Sequence, residues 1–256
     1  LPFHPSNVYT IAELKSNAAD ILAKVEKDCL KQLGNKNLSM NLLGKIKGGE
    51  IYVDQGVVAG CAGGTFDNVC DVADILDGHS VGNGNFSLSV YPDSQPNYLE
   101  LVRNGSIARI MASGAIVRSA FCGPCFGAGD TPANGELSIR HNTHNFPNRE
   151  GSKPGEGQIA SVALMDARSI AATAINGGRL TAATDLDVNY SHPKYYFDKG
   201  IYEKRIYNGV GKADPKAELQ FGPNIKDWPV IPSLTEHFLL KVVSYITDPV
   251  TTTDEL

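Results

Sequence analysis

The residues most suited to chemistry are the two thiols of Cys122-Gly123-Pro124-Cys125, a spacing that aims both sulfurs at one atom or cluster while Gly and Pro shape the turn. A redox dithiol would want this pair at the start of a clean helix, and Phe126-Gly127-Ala128-Gly129-Asp130 is too glycine-rich for one. A zinc site would add His141 and His144, but these two histidines stand one residue closer than the usual two-Cys two-His spacing. An iron–sulfur site would add Cys61. Three thiolates around a 4Fe–4S cluster leave one iron open, and an open iron is a Lewis acid toward a hydroxyl or carboxylate. Cys61 could equally be a small residue in a tight turn, and spacing alone does not separate these readings.

The elements that must position these residues alternate. Residues 10–33 read as an amphipathic helix, opened by a Thr10–Glu13 capping box and stopped at Gly34, with Cys29 on its apolar face. Ile51 to Ala59 reads as a strand, broken by Gly60-Cys61-Ala62-Gly63-Gly64. A helix follows from Thr65, with Phe66, Val69, Cys70, Ala73 and Leu76 on one face. Cys29 and Cys70 are therefore expected in the core. Further strands are expected at 86–91, 115–119, 136–140 and 158–165, with helical segments across 98–112 and a last helix capped by Asp166 and ended by Gly177-Gly178. This alternation predicts an α/β fold, a three-layer α/β/α arrangement with a mostly parallel sheet. Ligands in such sheets sit beyond the carboxyl ends of strands, where Cys61 and Cys122 are both expected.

Residues 186–256 differ in kind. They hold 10 of the 20 aromatic residues and 6 of the 14 prolines, too many aromatics for a flexible linker. They are expected to form an extended aromatic-rich C-terminal segment wrapping a folded body of residues 1–185.

The whole chain has 256 residues, 42% hydrophobic and 20% charged, with a net charge of −5. That length can bury one sizeable core and excludes a disulfide mini-protein, a disordered tail and a collagen-like repeat. No apolar run approaches the about 18 residues of a membrane span, and no basic block offers a phosphate footprint, so neither membrane nor nucleic acid is an expected partner. Five cysteines without a visible signal peptide point to a reducing cytoplasm. The start at Leu1 and the uncapped end at Leu256 suggest a piece of something longer.

The order of motifs adds a resemblance. SGAIVRSAFCGPCFGAGDTP, then HNTHNFPNREGSKP, then QIASVALMDARSIAATAINGG resemble successive segments of the aconitase superfamily of iron–sulfur hydro-lyases, which includes isopropylmalate dehydratase and homoaconitase. GCAGGTFDN stands about where the family places its first cluster ligand, and the resemblance covers roughly residues 53–186. It implies Cys61, Cys122 and Cys125 as ligands of a 4Fe–4S cluster. It also implies Arg149 as a clamp for a substrate carboxylate, a task suited to the two-pronged guanidinium. Two departures stand out. Ala62-Gly63 replaces the family's Thr-Asn, and Thr143-His144 replaces an Asn-Arg pair. His144 could substitute in part for that arginine, though it is charged only near or below a pKa of about 6.5. The departure weakens the case for citrate or isocitrate more than the case for the reaction class.

The family's catalytic base, a serine in a swivelling domain, and its histidine–aspartate pairs match no segment here. The expectation is thus a cluster-carrying domain of a hydratase acting on a small hydroxy-carboxylic acid. It would be inactive alone and would depend on other domains of the full-length enzyme. The rival expectations are a degenerate relative without a cluster and a structural zinc domain.

Overall fold

The computed structural model describes residues 8–34, 37–143 and 148–247. The first helical stretch is divided in two, α1 (Ile11–Ser16) and α2 (Ala18–Leu33). Thr10 Oγ1 accepts the Glu13 N–H at 3.1 Å, as the capping box requires, and Gly34 ends α2 in the left-handed conformation at φ 60°. The break comes at Asn17, whose φ of −125° is not helical and whose amide donates to the Glu13 carbonyl. Ala18, Leu22, Val25 and Cys29 form the buried stripe of α2.

A small hairpin follows, β1 (Ile46–Lys47) and β2 (Glu50–Ile51), turned by Gly48-Gly49. The single strand expected from Ile51 to Ala59 is therefore two elements, β2 and β3 (Gln55–Val58). The cause lies in Asp54. Its carboxylate accepts the Leu137 N–H at 2.8 Å and pairs with Lys45 at 2.6 Å, so the chain turns there from hairpin to main sheet.

The remaining elements are α3 (Gly60–Gly63), α4 (Phe66–Leu76), β4 (Ser87–Val90), α5 (Gln95–Arg103), α6 (Ser106–Ala112), β5 (Ile116–Val117), β6 (Leu137–His141), β7 (Ser161–Leu164), α7 (Ala167–Ile175) and α8 (Gly200–Glu203). Side-chain caps open α5 at Ser94 and α7 at Asp166.

The main sheet has five strands in the order β5-β4-β3-β6-β7, and every neighbouring pair is parallel. With its flanking helices it makes the three-layer α/β/α arrangement. β3 lies at the centre, with Val58 level with Val90 of β4 on one side and with His141 of β6 on the other. Helix α7 packs on β3, β6 and α4, and its small residues Ala167, Ala171, Ala172 and Ala174 allow close approach around Ile170. Cys29 and Cys70 are both in the core, and burial pushes the Cys29 thiol up to about 11.

By their contacts the residues divide into two units after Tyr207. In the first, the chain beyond the sheet packs Leu186, Val188, Tyr190 and Tyr195 onto the core. Tyr195 stacks on Phe66, Arg168 lies over the Tyr190 ring, and Ser191 donates twice to Asp74. In the second, residues 208–247 form no helix or strand. No helix among the described residues is long and apolar enough to cross a membrane.

Ile170 tests the α7 contact. Ile170→Ala removes a fully buried side chain between helix and sheet and should cost about 2–5 kcal/mol, read as a lowered midpoint of urea unfolding followed by circular dichroism.

Candidate functional site

The strand order places a topological switch between β3 and β6. From β3 the chain winds outward through β4 and β5, then returns to the other side for β6 and β7. Crossovers leave the two central strands in opposite directions, and a crevice opens between their carboxyl ends. Both sequence-predicted groups of residues converge there.

β3 runs through Ala59 into the one-turn helix α3, which carries Cys61. This turn fits between strand ends only because its residues are small. A Cβ on Gly63 would lie 1.9 Å from the His141 carbonyl oxygen, and one on Gly64 would lie 2.1 Å from that of Tyr91. Gly60 takes a φ of +70°, and a Cβ there would sit 3.5 Å from Cys125 Sγ. The residue before Cys61 thus lies one side-chain atom's reach from the sulfur of Cys125. Cys61 itself is exposed, with its Sγ 3.0 Å from Thr143 Oγ1 beyond the end of β6.

The Cys122–Cys125 segment is a turn of 3-10 helix, closed by a Cys125 N–H to Cys122 carbonyl bond of 2.9 Å. No α-helix follows it, in keeping with the glycine-rich continuation. Cys122 is exposed and Cys125 is buried. Phe121 and Phe126 flank the turn edge to face, centroids 5.9 Å apart. Its carbonyls are bound from below and beside. Arg140 Nη1 donates to Pro124 O at 2.9 Å, the Asn142 amide reaches the same oxygen at 3.4 Å, and Arg149 Nε donates to Cys125 O at 3.1 Å. Arg149 therefore stands beside the cysteine pair. His144 lies outside the described residues.

Two acceptors remain open at the end of β6. His141 Nδ1 and Asn142 Oδ1 are buried and have no hydrogen-bond partner among the described residues. Burial holds the His141 imidazole below its ordinary pKa, partly offset by Asp166. Orphaned buried acceptors are uncommon in folded proteins and favour an occupant that brings donors. Further out, Asp130 receives the Ser89 hydroxyl at 2.9 Å and the Tyr91 hydroxyl. Burial, followed by the Asp130 contact and charge, pushes the Tyr91 phenol up to about 12.

Among the described residues, no three His, Cys, Asp or Glu side chains already form a metal cage. The donor set nevertheless suits a soft iron–sulfur group in type and place. Two exposed thiols and one buried thiol border a crevice floored by glycines. Arg140, Asn142 and His141 complete the surroundings. Of these only His141 was singled out from the sequence, as a zinc candidate. Arg140 was missed, and the signal that could have marked it is a charged residue inside the strand Leu-Ser-Ile-Arg-His.

A doubly wound parallel sheet with thiols gathered at its switch point defines an α/β ligand-binding domain. The sequence profile of the aconitase family (aconitate hydratase) matches residues 1–172, and the chain belongs to that family. Similar proteins include the 3-isopropylmalate dehydratase large subunits of Clostridium kluyveri (32% identity over 48% of this chain and 29% of the relative) and Clostridioides difficile (35% over 47% and 28%). That of Methanoregula boonei is 31% identical over 50% of this chain and 30% of the relative. The chain thus matches less than a third of the length of these relatives.

The glycine floor can be tested directly. Gly63→Ala drives a methyl group into the His141 carbonyl and should lower stability by about 1–3 kcal/mol in urea unfolding. Gly84→Ala, at a position with open space around it, should leave the midpoint unchanged.

Proposed function

We propose that this chain is the cluster-carrying domain of an aconitase-like hydratase or dehydratase that acts on a small hydroxy-carboxylic acid. The observation that carries the reading is the meeting of the Cys61 turn with the Cys122–Cys125 turn at the switch point, where a Cβ on Gly60 would come within 3.5 Å of Cys125 Sγ. Cys61, Cys122 and Cys125 would hold a 4Fe–4S cluster. When bound, such a cluster supplies one open iron as a Lewis acid toward a substrate hydroxyl and carboxylate.

The chain's own residues bind and orient. Arg149 brings a guanidinium to the edge of the cysteine turn, where its planar fork suits a carboxylate. Asn142 Oδ1 and His141 Nδ1 offer acceptors to a hydroxyl or water at the same strand end. The Gly60–Gly64 turn keeps the floor of the crevice closed with backbone alone. No residue here is assigned as the base that removes the substrate proton. That group, and with it turnover, would come from other domains of a larger enzyme, in line with the short share of the relatives that the chain matches.

Anaerobic incubation with ferrous iron and sulfide should give a brown protein with broad visible absorption. Cys61→Ser, Cys122→Ser and Cys125→Ser should each abolish the colour, whereas Cys70→Ser should not. The reconstituted domain alone should show no hydration or dehydration of 3-isopropylmalate. A wild-type chain that takes up no iron would sink the cluster reading and leave a family member without a cluster. Retention of zinc that survives Cys61→Ser but not Cys122→Ser would replace it with a structural zinc site.

A further inference from the structure

Arg140 is among the largest fully buried side chains, at 1% exposure, and sits near the end of β6 beneath the cysteine turn. Two of its contacts bind it to the sheet. Nε donates to Ser138 Oγ at 3.0 Å and Nη2 to Gln55 Oε1 at 3.1 Å, while Ser138 itself donates to the same Gln55 oxygen. Two others reach up into the loop. Nη1 donates to Pro124 O at 2.9 Å, and Nη2 donates to Asp130 O.

One guanidinium therefore ties both strands of the switch, β3 and β6, to both ends of residues 124–130. Every one of these acceptors is uncharged, and among the described residues no carboxylate pairs with it. The Asp130 carboxylate is already engaged by Ser89 and Tyr91. Charge balance comes only at longer range, from the Glu150 and Asp130 carboxylates, and burial still disfavours the charged form, an arrangement that makes sense beneath a site that itself becomes anionic.

We propose that Arg140 is a positioning residue: it fastens the Cys122–Cys125 turn to the switch point and lends its buried charge to the thiolates above. The proposal deepens the cluster reading and takes its purpose from it, but the fastening can be measured on the metal-free chain. Four acceptors spread over two strands and a loop require the fork of an arginine, which the single ammonium of a lysine cannot reproduce.

The test is pulse labelling of the intact chain with N-ethylmaleimide, read cysteine by cysteine by fragment mass spectrometry. In the wild type, Cys61 and Cys122 should label fast and Cys125 slowly, with Cys29 and Cys70 protected. Arg140→Met should raise Cys125 labelling by about tenfold, the effect of losing two net hydrogen bonds to the loop, with Cys29 and Cys70 still protected. Arg140→Lys should produce an intermediate rise. Cys125 labelling within twofold of wild type in Arg140→Met would overturn the proposal. So would release of Cys29 and Cys70 together with Cys125 in both variants, since Arg140 would then support the whole domain rather than the turn. Iron content after reconstitution separates the two readings. If Arg140→Met frees Cys125 and the wild type takes up no iron, the positioning role stands and the cluster reading falls. If the wild type takes up iron and Arg140→Met labels like the wild type, the reverse holds.

Discussion

The pairing of β3 with β6 is the constraint on which the rest of the molecule depends. These strands are neighbours in space, yet the chain between them makes two further strands, four helices and the cysteine loop before it returns. Parallel pairing requires each return to cross over the sheet, and the reversal of winding direction opens a crevice that no connection fills. Cys61 stands at one lip of that crevice and Thr143 at the other, so one hydrogen bond spans 82 residues of sequence. The loop from Cys122 onward is the last piece of chain before β6 and reaches the same end of the sheet.

The five thiols illustrate how position alone divides one residue type into two kinds. Cys29 and Cys70 lie on helix faces turned to the core, and burial disfavours their thiolates, although Ser106 and Asn104 relieve part of that cost at Cys70. Cys61, Cys122 and Cys125 stand on turns at strand ends, where backbone approach rather than apolar packing sets the surroundings.

Local signals carried much of the fold into the sequence. Thr10 with Glu13, Gly34, and Asp166 marked helix ends that the structure reproduces, and the apolar spacing of Phe66 to Leu76 defined α4 closely. What local signals cannot express is a contact between distant segments. Asp54 divides an apparently continuous strand because its partners are Lys45 and the Leu137 amide. Gly63 looked like a departure from the family pattern. In space it is the residue that the His141 carbonyl leaves room for. The cysteine pair and Arg149 were legible from spacing and motif order, whereas Arg140 and Asn142 gain their meaning only once β6 is laid beside the loop.

Apart from the Asp130 carboxylate, the bonds that secure the cysteine loop end on main-chain oxygens, those of Pro124, Cys125 and Asp130. Main-chain carbonyls are the same whatever side chain they belong to. The lining of the crevice around Phe126 and Ala128 is thus free to drift in evolution without loosening its mounting. A single scaffold of this kind can change the side chains it presents through substitutions that leave its attachment points untouched.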